Sequence, residues 1–125
     1  MNYLSLEQVI ELHDSLIEKF GGFVGIREKG LLESAVSAPM MAVFGEELHK
    51  TIYNKAAAYL FYIAKNHAFF DGNKRTAAAT ALAFLRVNGK TVKYDADDFL
   101  EFVVSVAEGK ADLDAIGNYL EKICS

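Results

Sequence analysis

The stretch Thr51 to Ala77, TIYNKAAAYLFYIAKN followed by HAFFDGNKRTA, decides the fold. From Thr51 onward, Ile52, Tyr53, Ala56, Ala57, Tyr59, Leu60, Phe61, Tyr62 and Ile63 place apolar side chains on nearly every face of a helix. A helix that is apolar all round belongs at the centre of a domain. Its pattern stops near Asn66-His67, and Gly72-Asn73 supplies a turn. A second alanine-rich helix then runs from about Asn73 to Val87 and stops at Asn88-Gly89. The reading is therefore a buried helix, a short loop and another buried helix.

Outward from this centre the chain continues to read as helix. Ser5 with Gln8 forms a capping box ahead of Leu6, Val9, Ile10, Leu16, Ile17 and Phe20, and Gly21-Gly22 ends that helix. A second helix is expected over about Glu28 to Ala38, stopped before Pro39. Residues 39–50 are ambiguous, because Gly45 interrupts a helix-compatible run. Asp95 and Asp112 are N-caps for two final helices at about 96–107 and 113–123. Phe23–Arg27 and Thr91–Tyr94 read as short extended pieces, candidates for a small hairpin or flap. The expected fold is all-α, a single domain over residues 1–125 with about six helices.

Composition sets limits on function. The 125 residues are 52% hydrophobic and 24% charged, the balance of a packed globular domain. The only cysteine, Cys124, permits neither an internal disulfide nor a cysteine-rich zinc site. The N-terminus lacks the charged start and apolar run of a signal peptide, and the longest apolar stretch, Ala56–Ala64, is too short to span a bilayer. A cytoplasmic protein is expected. The net charge of −4 argues against direct nucleic-acid binding. That charge is uneven: −3 over residues 1–64, +5 over 65–94 and −6 over 95–125. A local basic segment in an acidic chain suggests a confined anion site.

Chemistry concentrates in His67 to Arg75. A helix start offers free N–H groups and a partial positive charge. Lys74 and Arg75 in that first turn conflict with the dipole, and an anionic ligand such as phosphate resolves the conflict. Gly72 admits a close approach of backbone to ligand. Asp71 is a lone carboxylate of the kind that shares Mg²⁺ with phosphate oxygens. His67 is suited to act as a general base on a hydroxyl. Each residue taken singly has a plainer reading: His67 as a helix C-cap, Asp71 as an N-cap, Gly72-Asn73 as a turn. Together they place base, metal ligand, anion nest and cations within nine residues. A His/Asp zinc hydrolase is the competing chemistry, but His13 and His49 are isolated, and His13 falls on the apolar stripe of the first helix. No P-loop or dinucleotide fingerprint is present.

The run HAFFDGNKRTA, His67–Ala77, resembles the Fic-family signature His-x-Phe-x-(Asp/Glu)-Gly-Asn-x-Arg, and most closely its Doc (death on curing) toxin branch. GGFVGIREKGLLESAV (Gly21–Val36) and LAFLRVNG (Leu82–Gly89) extend the likeness over most of the chain. The resemblance implies a compact helical bundle with nucleotide phosphates on the motif loop. His67 would activate a target hydroxyl, Asp71 would hold Mg²⁺, Asn73 and the backbone at Gly72 would form the anion nest, and Arg75 would bind phosphate. Fic enzymes that transfer AMP carry Gly after the Asn and a second Arg three residues beyond the first; here these are Lys74 and Ala78. They also commonly have Pro where Ala68 stands. In the Doc-like branch the Lys goes with an inverted nucleotide and transfer of the γ-phosphate of ATP. The resemblance thus implies a Mg²⁺/ATP-dependent protein kinase acting on a threonine of elongation factor Tu and halting translation, restrained by a Phd-like antitoxin. Ser105–Gly109 has the wrong spacing for the inhibitory helix of self-inhibited Fic proteins, so regulation in trans is expected. Phe23–Arg27 is expected to serve as the flap on which a target segment pairs. The alternatives are a Fic-type AMP transferase and a non-catalytic module that only binds a nucleotide or anion.

Overall fold

A computed structural model describes all residues, 1–125. Six α-helices follow in order: α1 (Leu6–Phe20), α2 (Lys29–Ser37), α3 (Ile52–Asn66), α4 (Asn73–Val87), α5 (Ala96–Ala107) and α6 (Leu113–Lys122). A two-stranded hairpin, β1 (Ala42–Val43) and β2 (Glu46–Glu47), lies between α2 and α3. The all-α reading holds, and no helix is long and apolar enough to cross a membrane.

α3 is the axis of the bundle. Ala56, Ala57, Ala58, Tyr59, Leu60, Ile63 and Ala64 are all buried along it, and α2, α4, α5 and α6 pack around it. The short alanine side chains let neighbouring helices lie close to this axis. α1 packs on α4. One continuous cluster of 24 buried apolar residues runs from Leu4 to Leu120. The Tyr59 hydroxyl ties the N-terminal segment to α3, accepting from the Leu4 N–H at 3.0 Å and donating to the Leu4 carbonyl at 3.2 Å.

The caps expected at Ser5, Asp95 and Asp112 form, accepting from the N–H groups of Gln8, Asp98 and Ala115. The second helix stops before Pro39 as expected: α2 ends at Ser37, and a 3₁₀ turn, Ala38–Met40, takes in the proline near its start, where a missing N–H costs nothing. One expectation is corrected. The hairpin is not built from residues 23–27 and 91–94. Ile26 instead bridges to Phe69, and Val92 to Cys124. The true hairpin falls in the ambiguous region, with Ala42 opposite Glu47 and Val43 opposite Glu46. Its two-residue loop, Phe44-Gly45, has φ of 52° and 80°, the left-handed pair that a tight hairpin requires.

A buried lysine anchors this hairpin. Lys55 on α3 is 1% exposed. Its ammonium donates to the Glu47 carboxylate and to the His49 carbonyl, and lies 5.8 Å from the centre of the Tyr3 ring. A buried charge demands such partners. Burial, and next the charge of Lys55, push the largely buried His49 imidazole below its ordinary value of 6.5. The unfolded chain therefore binds more protons than the folded one in that window. The contribution of His49 to stability is complete above about 6.5 and is lost as pH falls through the lowered folded value. Thermal melts from pH 7.5 to 5 are expected to show falling stability, and His49→Gln is expected to flatten the slope.

Candidate active site

The motif loop, residues 67–72, joins α3 to α4 and is fixed at nearly every residue. His67 ends α3 as its C-cap in the left-handed conformation, φ 50° and ψ 44°, a region in which histidine is enriched. Its carbonyl accepts from Arg27 Nε at 2.9 Å. The Ala68 carbonyl accepts from the N–H groups of Arg27 and Glu28 at 2.7 and 3.0 Å, and Phe70 N–H donates to Gly25 O. The segment expected to serve as a flap, Phe23–Arg27, is thus bonded along one edge to the loop.

Phe69 is 1% exposed and anchors the loop in the core. Its ring stacks on that of His13, centroids 3.7 Å apart with planes within 5°. The Asn73 side chain clasps the Phe69 backbone from both sides, Oδ1 accepting from its N–H and Nδ2 donating to its carbonyl, each at 3.0 Å. Asn73 therefore shapes the loop with its side chain and offers a ligand its backbone N–H.

Asp71 is oriented with similar care. Its Oδ1 accepts from Gly72 N–H at 2.9 Å and its Oδ2 from Phe23 N–H at 3.2 Å. Its carbonyl accepts from His13 Nε2 at 2.8 Å. His13 is fully buried on α1, with Nδ1 3.0 Å from the Asp14 carboxylate. The Asp71 side chain remains exposed, and each carboxylate oxygen keeps lone pairs beyond its one hydrogen bond.

Gly72, not Asp71, is the N-cap of α4. It has φ 77°, and a Cβ there would lie 3.1 Å from Ile17 Cδ1. No side chain caps α4, and its first turn holds no acidic residue. The leading N–H groups are left for water or a ligand. Lys74 and Arg75 stand in that turn, exposed, and no ion pair engages either. The Arg75 guanidinium lies 4.1 Å from the centre of the Phe20 ring, a stacking that stiffens the cation.

A cavity of about 280 Å³ opens here, lined by Leu16, Ile17, Phe20 and Gly21 of α1 and its terminal turn and by Asp71 through Arg75. The fold brings five of the six expected residues, Asp71, Gly72, Asn73, Lys74 and Arg75, to one cavity. His67 is outside this lining and stands exposed at the preceding corner of the same loop. Nowhere do three or more His, Cys, Asp or Glu side chains gather as a metal cage, so a multi-ligand protein zinc centre is not built. A single exposed carboxylate beside the uncapped start of α4 fits Mg²⁺ shared with a nucleotide better.

Four supports of the loop lie outside the motif. His13 reads as a core residue and is one, but its bond to Asp71 needs the tertiary fold. Phe20, Phe23 and Arg27 gave no local signal beyond an aromatic at a helix end and a cation after a short extended run.

The Fic/DOC family model matches residues 3–85. The chain is 42% identical over 99 residues to Toxin Doc of Mycolicibacterium smegmatis, covering 78% of this chain and 76% of that protein. It is 33% identical over 123 residues to Protein kinase doc of Escherichia phage P1, covering 98% and 96%. The matched region takes in the motif loop and every residue that supports it, and the chain belongs to the Fic/DOC family.

Proposed function

We propose that this protein is a Doc-type toxin that transfers the γ-phosphate of ATP to a hydroxyl of a protein, with a threonine of elongation factor Tu as target. The observation that carries this reading is the unpaired cation couple, Lys74 and Arg75, at the uncapped start of α4 beside the exposed carboxylate of Asp71. The likeness of almost the whole chain to a protein named as a kinase supports it. In the family's AMP-transferring members a second Arg stands at the position of Ala78, which here is 6% exposed and offers no phosphate clamp. That favours phosphate over AMP as the transferred group.

In this reading the N–H groups of Asn73, Lys74 and Arg75 receive phosphate oxygens, assisted by the helix dipole and the two cations. Asp71 would hold Mg²⁺, which when bound neutralises charge on the phosphates. His67 takes the proton of the target hydroxyl, whose oxygen bonds to phosphorus as the bond to the β-phosphate breaks. The hairpin β1–β2, with both outer edges free of strand partners, is a better place than residues 23–27 for a target segment to pair. A Phd-like antitoxin would restrain the enzyme in the cytoplasm.

The test is incubation with Mg²⁺, ATP and purified elongation factor Tu, followed by intact mass. Addition of one phosphate is the expected result. Addition of AMP overturns the reading in favour of an AMP transferase, and nucleotide binding with no protein modified in a cell extract favours the non-catalytic module.

A further inference from the structure

We propose that the turn Gly21–Phe23 is a positioning element for Asp71 and that Gly22 is the residue that specifies it. The inference rests on Asp71 being the metal-holding carboxylate.

Gly22 has φ 126°, a conformation that L side chains rarely adopt, and it packs directly on the acid. A Cβ built on it would lie 2.7 Å from Asp71 Oδ2, 3.1 Å from Asp71 Cγ and 3.1 Å from Ile17 Cδ1. The next residue, Phe23, gives its N–H to the same Oδ2. Gly22 therefore lets the backbone come close enough for that hydrogen bond to form.

On its protein-facing side the carboxylate is held in one bearing. Oδ1 is bonded to Gly72 N–H, the Asp71 carbonyl is bonded to buried His13, and Ile17 is 8% exposed on the inner side. A side chain at position 22 must push the carboxylate off its bearing. Hydrogen bonds that aim a metal ligand typically alter metal affinity about 10- to 100-fold when broken. Gly22 touches no reacting atom and acts through Asp71.

Gly89, past the end of α4 and outside the cavity lining, supplies an internal control. It too has positive φ, 88°, but a Cβ there would meet nothing within 4 Å. Gly89→Ala thus imposes backbone strain without touching Asp71, and Gly22→Ala imposes both.

The experiment is calorimetric titration of a non-hydrolysable ATP analogue into the full chain, in EDTA and in Mg²⁺. Its readout is the gain in affinity that Mg²⁺ brings. Gly22→Ala is expected to erase about 10- to 100-fold of that gain while the affinity in EDTA stays at the parent value. Gly89→Ala is expected to keep the gain. Equal losses in both glycine variants, or loss of affinity in EDTA alone, overturn the proposal. If Gly22→Ala does not fold, replacing the Phe23 amide by an ester removes the N–H donor without adding a side chain and must reduce the same gain; an undiminished gain overturns the proposal. Asp71→Asn separates the two layers. If it leaves the Mg²⁺ gain intact, the metal reading itself fails and the positioning role with it. If it erases the gain and Gly22→Ala does not, only the positioning role fails.

Discussion

Replacing His67 by alanine is expected to slow phosphoryl transfer by about 10²- to 10⁴-fold, the usual share of a general base. Rates are to be measured at saturating ATP and target. His67 carries its backbone in the left-handed region as the α3 C-cap, so alanine adds strain that has nothing to do with proton transfer. Asparagine tolerates that conformation and lacks a base. The two variants should lose activity alike, with His67→Asn melting closer to the parent. The ring is exposed and outside the cavity lining, so nucleotide binding should survive in both. Transfer persisting in His67→Asn would remove the base from the mechanism.

The second large effect concerns stability. Phe69→Ala is expected to cost about 3–5 kcal/mol, the range for emptying a buried aromatic site, read from the shift of a urea unfolding midpoint. The phenyl ring is sealed in the core and stacked on His13, while its backbone is held by Asn73 and bridged to Ile26. Truncation leaves His13 without its stacking partner and the loop without its anchor. Phe70, the next residue, is 58% exposed, and Phe70→Ala should cost far less. Similar losses at both positions would show that the loop is not anchored through Phe69.

These two phenylalanines show where sequence reading reaches its limit. An adjacent aromatic pair after a buried helix says that at least one lies in the core; only the packing of α1 against the loop says which. Local signals were legible wherever the physics is local. Ser5, Asp95 and Asp112 cap because a short polar side chain reaches an N–H three residues on, and α3 is central because it has no polar face. Five of the six site residues were legible as neighbours because they are neighbours in sequence. The hairpin was not, because Phe44 accepts positive φ where Asn or Gly would have announced the turn. Nor was the pairing of residues 25–28 with 68–70, since short extended pieces carry no label for their partner. His13 read as a core residue because its burial is real, while its bond to the Asp71 carbonyl exists only across the assembled bundle.

The hydrogen bonds around the motif loop span long intervals of chain: 40 residues from Arg27 to His67, 48 from Phe23 to Asp71 and 58 from His13 to Asp71. Closing such intervals is entropically costly and falls late among the contacts of a helical protein. The nine-residue motif, although local in sequence, cannot hold its shape as an isolated segment. A nascent chain carries α1 and its glycine turn well before α4 exists, and has no formed site until the second half of the bundle docks on the first. Refolding followed by far-ultraviolet signal should therefore run ahead of recovered nucleotide binding, because helix content accrues from local contacts and the site is assembled by distant ones.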